Sequence, residues 1–497
     1  MAKLKNLTLP TFVLLLGLYN PVCAASTSNT TEKLHPNIVV IISDDHRYDC
    51  IGAAGNPHVK TPHIDELAKS GIYYPQATAH VSQCSPNRAV ILTGTPPYRT
   101  GWLSNQTQWK EVHNRDGFHN IATVPGVLKD GGYQTILVGK WHLTPDPWNC
   151  GFTHVRKWIP QGAGAYRNLA MANGNSRNTT STAGFTQDIL GDDASQFIRS
   201  EDSRRQPFFL WLALTAPHTP LHPNPLSVEK LYSDKSNSEL APPGFTYGAP
   251  SEKFTSFTVR GGRKKTPAAP AKGVSKNKET NWRDYYSAIT SVDEQVGKVK
   301  AALKDAHLDQ ETIIVFLGDN GMMCGSRGWS GKVLPYDESI RIPMIVYAPG
   351  IAKTQGRSES LVSSLDLSPS FLKWAGAKVP PEWPGRDLTA TLLEPSAKGF
   401  DFSITMFADN VSRKFGKMEY RSVRTADAKL IEWHDAEKGT EFFDLKSDPR
   451  ELKNQFGNPS YSPQISQLKG LLKSWQKQHK DPGSARSTDV VTGEGED

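Results

Sequence analysis

The sequence has few cysteines and no long hydrophobic run, and these two absences exclude several classes of protein. Five cysteines among 497 residues, with no CxxC pair, are too few and too scattered for a disulfide framework or a zinc site of CxxC spacing. Even the N-terminal apolar stretch, residues 12–18, is far shorter than the ~20 residues that a helix needs to cross a bilayer. With 37% apolar and 22% charged residues, the composition also excludes disordered, collagen-like and coiled-coil proteins.

The first 25 residues have the pattern of a secretory signal peptide. Two lysines precede the apolar stretch, and small residues follow it at 22–25. Cys23 would allow lipid attachment, but the proline and valine before it do not favour that modification. We therefore predict a signal peptide over 1–25, no transmembrane span, and an exported protein, periplasmic or secreted.

The net charge of +7 comes largely from one basic segment. Residues 260–278 contain seven lysines and arginines and no acidic residue. Such a segment could hold a polyanion, but a solvated insertion rich in Pro, Gly and Lys explains it as well and is the favoured interpretation. Because the excess charge is confined to this segment, we predict no nucleic-acid partner.

Five short apolar runs predict the strands of a buried sheet. They are rich in Val, Ile, Leu and Phe and do not alternate strictly with polar residues, as expected of parallel strands covered by helices on both faces. These runs are 38–42, 135–138, 208–213, 312–317 and 344–347. Residues 61–71 and 283–306 have helical patterns, the first with a proline start and a glycine end, the second with an apolar stripe. Strands alternating with helices predict an α/β fold with a large, mostly parallel sheet.

Side chains that carry carboxylate or amide oxygens follow two of these runs. Asp44 and Asp45 follow the first run, and Asp319 and Asn320 follow the fourth. In an open α/β sheet, ligands bind outside the carboxyl ends of the strands, so these side chains are predicted to converge. Three carboxylates and an amide oxygen, without a Cys or His pair, favour Ca²⁺ or Mg²⁺ over zinc. A single Asp-Asp pair would only indicate a helix cap or a solvated turn, but two pairs at two strand ends indicate a metal site.

Cys84 is predicted to lie at the N-terminus of a helix. Pro86 can start that helix and Gly94 can end it, while Arg88 lies about one turn beyond the cysteine. A helix N-terminus favours an anion, and the arginine could reach back towards it. The alternative is a small buried thiol beside an ordinary capped helix.

The pattern Cys84-x-Pro86-x-Arg88, followed by Ala-Val-Ile-Leu-Thr-Gly, resembles the signature of the type I, formylglycine-dependent sulfatases of the alkaline-phosphatase-like superfamily. Further stretches resemble the same family at 37–45, 61–68, 139–142, 216–218, 318–321 with 331–332, and 442–449. The resemblance implies a large mixed, mostly parallel sheet flanked by helices, with a smaller C-terminal α+β subdomain that carries a short antiparallel sheet. It places the catalytic domain at 34–395 and the subdomain and tail at 396–497.

The resemblance also implies the chemistry. Cys84 would be oxidised by a formylglycine-generating or sulfatase-maturing enzyme to formylglycine (3-oxoalanine), whose hydrate supplies the nucleophile. One Ca²⁺ would be held by Asp44, Asp45, Asp319, Asn320 and the group at residue 84. Arg88 and Lys140 would favour the ionised hydrate, and His142 would orient its second hydroxyl. His218 and Lys332 would bind sulfate and aid protonation of the departing oxygen. The implied substrate is a sulfate ester of a sulfated carbohydrate.

Two other functions stay open at this point. A phosphodiester or phosphonate monoester hydrolase of the same superfamily shares the nucleophile motif. A non-catalytic protein with an unmodified Cys84 could instead bind sulfated glycans. Residues 322–326 lack the acidic and histidine residues that many relatives place there, which leaves the subfamily open. His222, four residues after His218, could line the pocket or only pack.

Overall fold

The computed structural model describes residues 35–105, 118, 120–245, 280–397, 399–409, 418–434 and 439–483. The predicted signal peptide at 1–25 and the basic segment at 260–278 lie outside these residues. No helix in the described part of the chain is both long enough and apolar enough to cross a membrane.

The described residues form fourteen strands, in two sheets, and eleven α-helices. The strands are β1 Asn37–Ser43, β2 Ile72–Tyr73, β3 Gln134–Lys140, β4 His154–Ile159, β5 Ala170–Asn173, β6 Thr180–Ser181, β7 Phe208–Ala213, β8 Thr312–Gly318, β9 Met344–Tyr347, β10 Gly356–Arg357, β11 Ser403–Asp409, β12 Met418–Arg424, β13 Ala428–Trp433 and β14 Thr440–Asp444. The helices are α1 Pro62–Ser70, α2 Cys84–Thr93, α3 Pro97–Thr100, α4 Val124–Asp130, α5 Thr186–Arg199, α6 Leu226–Glu229, α7 Trp282–Asp305, α8 Asp337–Ile340, α9 Leu367–Trp374, α10 Thr389–Leu393 and α11 Ser462–His479.

The large sheet has ten strands in the order β10-β2-β9-β8-β1-β7-β3-β4-β5-β6. The five central strands from β8 to β4 run parallel to one another. On β1, Ile38, Val40 and Ile42 belong to the apolar core on one face of the sheet. Val39 and Ile41 belong to the core on the other face. This burial on both faces explains why the strand sequences do not alternate with polar residues, and it confirms the predicted mixed, mostly parallel sheet.

The prediction that 344–347 is a parallel strand is wrong. This run forms β9, which pairs with β8 in the antiparallel direction, with Leu317 opposite Met344. A parallel strand would require the chain to cross back to the opposite edge of the sheet before starting. Residues 319–343 stay instead at the edge where β8 ends, and β9 therefore starts from that edge.

The predicted helices are confirmed, but the glycine after α1 is required by a close contact and not by a left-handed conformation. α1 begins at Pro62 and is followed by Gly71, whose φ is −119°, outside the left-handed region. A Cβ at residue 71 would lie 2.6 Å from the carbonyl oxygen of Val346, so a close approach to β9 requires the glycine. α7 covers the predicted apolar stripe, and α2 ends at Gly94 with φ of 59°.

The smaller sheet has the order β11-β12-β13-β14, with all neighbours antiparallel. Its apolar side chains form one core with α11, through Leu468, Leu472 and Trp475. The predicted α+β subdomain with a short antiparallel sheet is thus present near the C-terminus. The boundary at 395/396 stays a prediction.

Candidate active site

Three carboxylates and one amide meet where β1 and β8 end side by side. Ser43 of β1 pairs with Gly318 of β8, so the residues that follow both strands start at the same level. The backbone N–H of Asp45 donates to Oδ1 of Asp319 at 3.1 Å. Asp44 and Asn320 are also fully buried. We call Asp44, Asp45, Asp319 and Asn320 the acidic cluster, and its convergence confirms the geometric expectation from the strand ends.

Cys84 is the first residue of α2 and touches the acidic cluster. Its Sγ lies 3.3 Å from Oδ1 of Asp44 and 3.8 Å from Oδ1 of Asp45. The ammonium group of Lys332 lies 2.5 Å from the same sulfur. Burial and the charge of Asp44 raise the pKa of the thiol well above its ordinary value, against the opposing effect of Lys140 and Lys332. The unmodified side chain is therefore a neutral thiol.

Each carboxylate of the acidic cluster has one cationic partner. Arg88 donates from Nε to Oδ2 of Asp319 at 2.9 Å and from Nη1 to the carbonyl of Lys140 at 3.0 Å. The ammonium group of Lys140 contacts Asp44, and that of Lys332 contacts Asp45. Burial raises the pKa of Asp44, but Lys140 and His218 outweigh it and the net shift is downward. Burial and the neighbouring Asp44 raise the pKa of Asp319.

Lys140 ends β3 and follows a glycine that lies close to the neighbouring strand β7. β3 pairs regularly with β7 up to Gly139, and in the register shift between Leu137 and Gly139 the extra residue lies on β4. Gly139 has φ of 98°, and a Cβ there would lie 2.0 Å from the carbonyl oxygen of Ala213 on β7. Only glycine fits this left-handed position against the neighbouring strand.

The two histidines lie on different sides of the cluster. His142 has φ of 60°, is 7% exposed, and has a buried Nδ1 with no hydrogen-bond partner among the described residues. Burial, followed by the charges of Lys140 and Arg88, lowers its pKa well below the usual range, so the ring is neutral. His218 lies nearer the surface, with Nε2 3.6 Å from Oδ2 of Asp45 and Nδ1 2.6 Å from the carbonyl of Thr219.

The donor set fits a hard divalent cation. Ligand atoms of Asp44, Asp45, Cys84 and Asp319 all lie within 4.8 Å of one another. Asn320 donates through Nδ2 to Asp45 and to the carbonyl of Gly321, while its buried Oδ1 has no hydrogen-bond partner in the described structure. An unpaired buried oxygen is costly, and a cation would satisfy it. Oxygen ligands of this kind suit Ca²⁺ or Mg²⁺.

Two residues that support the cluster were missed by the sequence reasoning. The hydroxyl of Tyr285 on α7 donates to the carbonyl of Asp45 at 2.6 Å. Asn87 donates through Nδ2 to the carbonyl of Asp319 at 2.6 Å. Tyr285 gave no signal beyond its place in a helix, whereas Asn87 stands inside the cysteine motif between Pro86 and Arg88 and could have been found there.

The contacts of His222 and Cys324 described below lie outside the acidic cluster. His222 lies with Nε2 2.5 Å from Oδ2 of Asp284 and Nδ1 3.5 Å from Oε1 of Glu229. Cys324 is 2% exposed and packs in an apolar cluster that also contains Cys50.

The mixed ten-stranded sheet and the smaller antiparallel sheet, with a buried polar cluster at the carboxyl edge, have the architecture of the alkaline-phosphatase-like fold. The chain belongs to the sulfatase family, whose family model matches residues 36–377. A second model, that of the C-terminal region of N-sulphoglucosamine sulphohydrolase, matches residues 325–478. The protein is therefore a sulfuric ester hydrolase.

Known proteins similar to this chain include both curated relatives and solved structures. An N-acetylglucosamine-6-O-sulfatase of Bacteroides thetaiotaomicron is 27% identical, over 92% of this chain and 89% of the relative. A solved protein in complex with its substrate D-glucosamine-2-N,6-O-disulfate has a TM-score of 0.73 and 25% identity, covering 91% of this chain and all of that one. The phosphonate monoester hydrolase of Agrobacterium radiobacter, at 20% identity and a TM-score of 0.69, shares the fold over 89% of this chain and 96% of its own.

Proposed function

We propose that the protein is an exported sulfatase that hydrolyses a sulfate ester of a sulfated glycan, using a formylglycine made from Cys84 and one bound Ca²⁺. The observation that carries the proposal is the position of Cys84. It begins a buried helix, and its sulfur lies 3.3 Å from Asp44 and 2.5 Å from the Lys332 ammonium group. A nucleophile at that point would face both the acidic cluster and the cations.

Ca²⁺ would be held by Asp44, Asp45, Asp319 and Asn320, together with the group at residue 84. When bound, Ca²⁺ would supply positive charge beside residue 84, which would stabilise the negative charge of the sulfate ester and of the nucleophile. The buried Oδ1 of Asn320, which lacks a partner among the described residues, supports this assignment.

Burial and contacts support roles for the other side chains. Arg88 and Lys140 are buried against Asp319 and Asp44 and would stabilise negative charge on the group at residue 84. The neutral ring of His142 would accept a hydrogen bond from the second hydroxyl of the hydrate and so orient it. His218 and Lys332 are more exposed, at 19% and 12% of the side chain, and would bind the sulfate and assist protonation of the departing oxygen. The overall reaction consumes water, breaks the bond between sulfur and the sugar oxygen, and releases an alcohol and sulfate.

A sulfated amino sugar is the first substrate to test. The Bacteroides relative is an N-acetylglucosamine-6-O-sulfatase, and the solved neighbour binds a glucosamine disulfate. These two similarities support 6-O-sulfated glucosamine and its N-acetyl form as substrates of this chain.

A phosphonate monoester hydrolase is the second candidate, because such an enzyme shares the fold over 89% of this chain. Assaying phosphonate monoesters and phosphodiesters alongside the sulfated sugars separates the two functions. A larger kcat/KM for the phosphorus substrates would reject a sulfated glycan as the main substrate.

The decisive experiment is the mass of the peptide that contains Cys84. Conversion to formylglycine lowers its mass by about 18 Da, a difference fixed by covalent chemistry. In parallel, Cys84→Ala should abolish sulfate-ester hydrolysis while the protein stays folded, because the acidic cluster and the sheet remain. Cys150→Ala, which truncates another buried cysteine, is the matched control and should retain activity.

An unmodified Cys84 combined with tight binding of sulfated glycans would favour the non-catalytic binding protein. A Cys84→Ala variant that hydrolyses sulfate esters at the parental rate would reject the mechanism.

A further inference from the structure

The turn that carries His142 has an unusual conformation that needs support from outside itself. His142 lies two residues after the end of β3 with φ of 60°, in the left-handed region that non-glycine residues seldom adopt. Such a conformation persists only when the surrounding structure holds it. Part of that support is visible on one side, where Ser85 donates its hydroxyl to the carbonyl of His142 at 2.7 Å.

Arg177 supports the residues that follow His142. It lies between β5 and β6, and its Nη2 lies 2.6 Å from the carbonyl of Thr144 and 3.3 Å from the carbonyls of Leu143 and Pro145. Its Nε contacts the carboxylate of Asp146. One guanidinium group therefore contacts the four consecutive residues after His142. We call this set of contacts, from Arg177 to residues 143–146, the Arg177 clamp.

Arg177 is itself held in place by β4. Its guanidinium lies over the ring of Trp158, 5.5 Å from the centroid. The indole N–H of Trp158 donates to the carbonyl of Gly174, in the same turn as Arg177, at 3.1 Å. The planar group is thus fixed by stacking as well as by hydrogen bonds, an arrangement that a lysine cannot reproduce.

The ring of His142 also has little freedom to move. A Cβ at Gly162 would lie 2.2 Å from Nε2 of His142, so the chain after β4 packs directly against the ring. A shift of the turn at 142–146 would push the ring into this backbone or away from residue 84.

We propose that Arg177 is a positioning residue of the active site, which sets the place of His142 through the Arg177 clamp. The inference rests on the proposed function, in which His142 acts on the group at residue 84. Arg177 does not touch that group and acts only through the turn.

The test compares Arg177→Ala with Arg156→Ala. Arg156, on β4, is the matched control, since it makes a two-point ion pair with Asp193 at similar exposure, 29% against 24% for Arg177. With glucosamine 6-sulfate, Arg177→Ala should lower kcat roughly 10- to 100-fold, the cost typical of misplacing a reacting group by about 1 Å. KM should change less than about twofold, because Lys332 and His218 keep their places. Arg156→Ala should lose a similar amount of thermal stability and keep its kcat.

Two further measurements separate positioning from general loss of structure. Guanidinium chloride at non-denaturing concentration should partly restore kcat in Arg177→Ala and not in Arg156→Ala, because the removed group leaves an opening at the surface. Arg177→Lys should fall between Arg177→Ala and the parent, because it keeps the charge and loses the planar fork.

Amide hydrogen exchange tests whether the Arg177 clamp holds the turn, without depending on catalysis. In a Cys84→Ala background, Arg177→Ala should speed exchange in the peptide that spans 141–147, and Arg156→Ala should not. Unchanged exchange there, or equal losses of kcat in the two arginine variants, would overturn the proposal. If the parent hydrolyses no sulfate ester, the proposed function fails, and the exchange measurement still decides whether the clamp holds the turn.

Discussion

At the scale of single residues, the site balances three buried carboxylates against three buried or nearly buried cations. Arg88 pairs with Asp319, Lys140 with Asp44 and Lys332 with Asp45. The balance is uneven, because the pKa of Asp44 is lowered while burial and Asp44 raise that of Asp319. Repulsion between the carboxylates persists, and a divalent cation would relieve it.

Removing Asp319 should abolish calcium binding. In the parent, Ca²⁺ at 100 times its dissociation constant should stabilise the fold by about 2.7 kcal/mol, seen as a rise in Tm that a chelator reverses. Asp319→Ala should lose both this rise and the heat of Ca²⁺ binding in calorimetry. Asp193→Ala, which breaks another carboxylate–arginine pair, should keep the response. Full activity of Asp319→Ala in chelator would contradict the metal assignment.

Asp293 should make the stability depend on pH. Burial is the main cause that raises its pKa to about 7, against the backbone N–H of Ile64, which donates to it at 2.7 Å. From about pH 4, the pKa of an ordinary aspartate, up to about 7, the folded state holds a proton that the unfolded state has lost. Stability should therefore fall as pH rises through this window, by up to about 4 kcal/mol.

The measurement is urea unfolding at pH 5 and pH 8. Asp293→Asn should reduce the loss of stability between the two values, because the amide does not ionise. Asp130→Asn, at a carboxylate that is 80% exposed, should leave the loss unchanged. An equal loss in the parent and in Asp293→Asn would reject the assignment.

At the scale of elements, the end of β3 determines the positions of Lys140 and His142. Gly139 has φ of 98° and lies against the carbonyl of Ala213 on β7, directly before Lys140. A residue with a side chain would not fit this position, so the glycine is as much part of the site as the side chains around it.

Gly139→Ala should therefore destabilise the protein and reduce activity together. Its Cβ would meet the carbonyl of Ala213 at 2.0 Å, and its φ of 98° disfavours alanine as well, so we expect a loss of about 2–4 kcal/mol. Gly132 has a similar φ of 88° but open space around it, and Gly132→Ala should cost only about 1–2 kcal/mol and leave activity intact. Thermal unfolding and kcat/KM check both variants; equal effects would show that the contact with β7 is unimportant.

At the scale of the whole molecule, side chains of the small sheet contact the segments that carry Cys84 and Lys332. The hydroxyl of Tyr420 on β12 pairs with that of Ser82, two residues before Cys84, at 2.6 Å. Asp337, which begins α8 after the segment that carries Lys332, is paired with Arg424 and Lys429 of the small sheet. Both the cysteine and the lysine thus depend on residues more than 90 positions away.

Asp337→Asn should cost about 3–5 kcal/mol, because it leaves the buried Arg424 without its counterion and removes one of the two carboxylates that pair with Lys429. Arg424 lies 3.2 Å from the Asp337 carboxylate, and both side chains are buried. Burial raises the pKa of Asp337, but the charges of Arg424 and Lys429 outweigh it and the net shift is downward. Asp427→Asn breaks an exposed pair with Lys446 in the same part of the fold and should leave the free energy of unfolding almost unchanged. The free energy of unfolding in urea measures both, and equal costs would show that the buried pairs add nothing.

The sequence by itself determined the parts that depend on local pattern. Apolar runs and the residues at their ends predicted the central strands, the acidic cluster and the helix that begins at Cys84. These predictions succeeded because the carboxyl ends of neighbouring parallel strands must meet at one edge, wherever the strands come from in the chain.

Only the tertiary structure decided the features that depend on contacts distant in sequence. The antiparallel direction of β9 follows from a connection that stays at the site, and the same short apolar run fits either direction. Tyr285 and Arg177 reach the site region from a helix and a turn with no motif of their own. A side chain that supports a backbone carbonyl needs only a donor at the right place, and many residue types can supply one, so no local pattern in the sequence marks it.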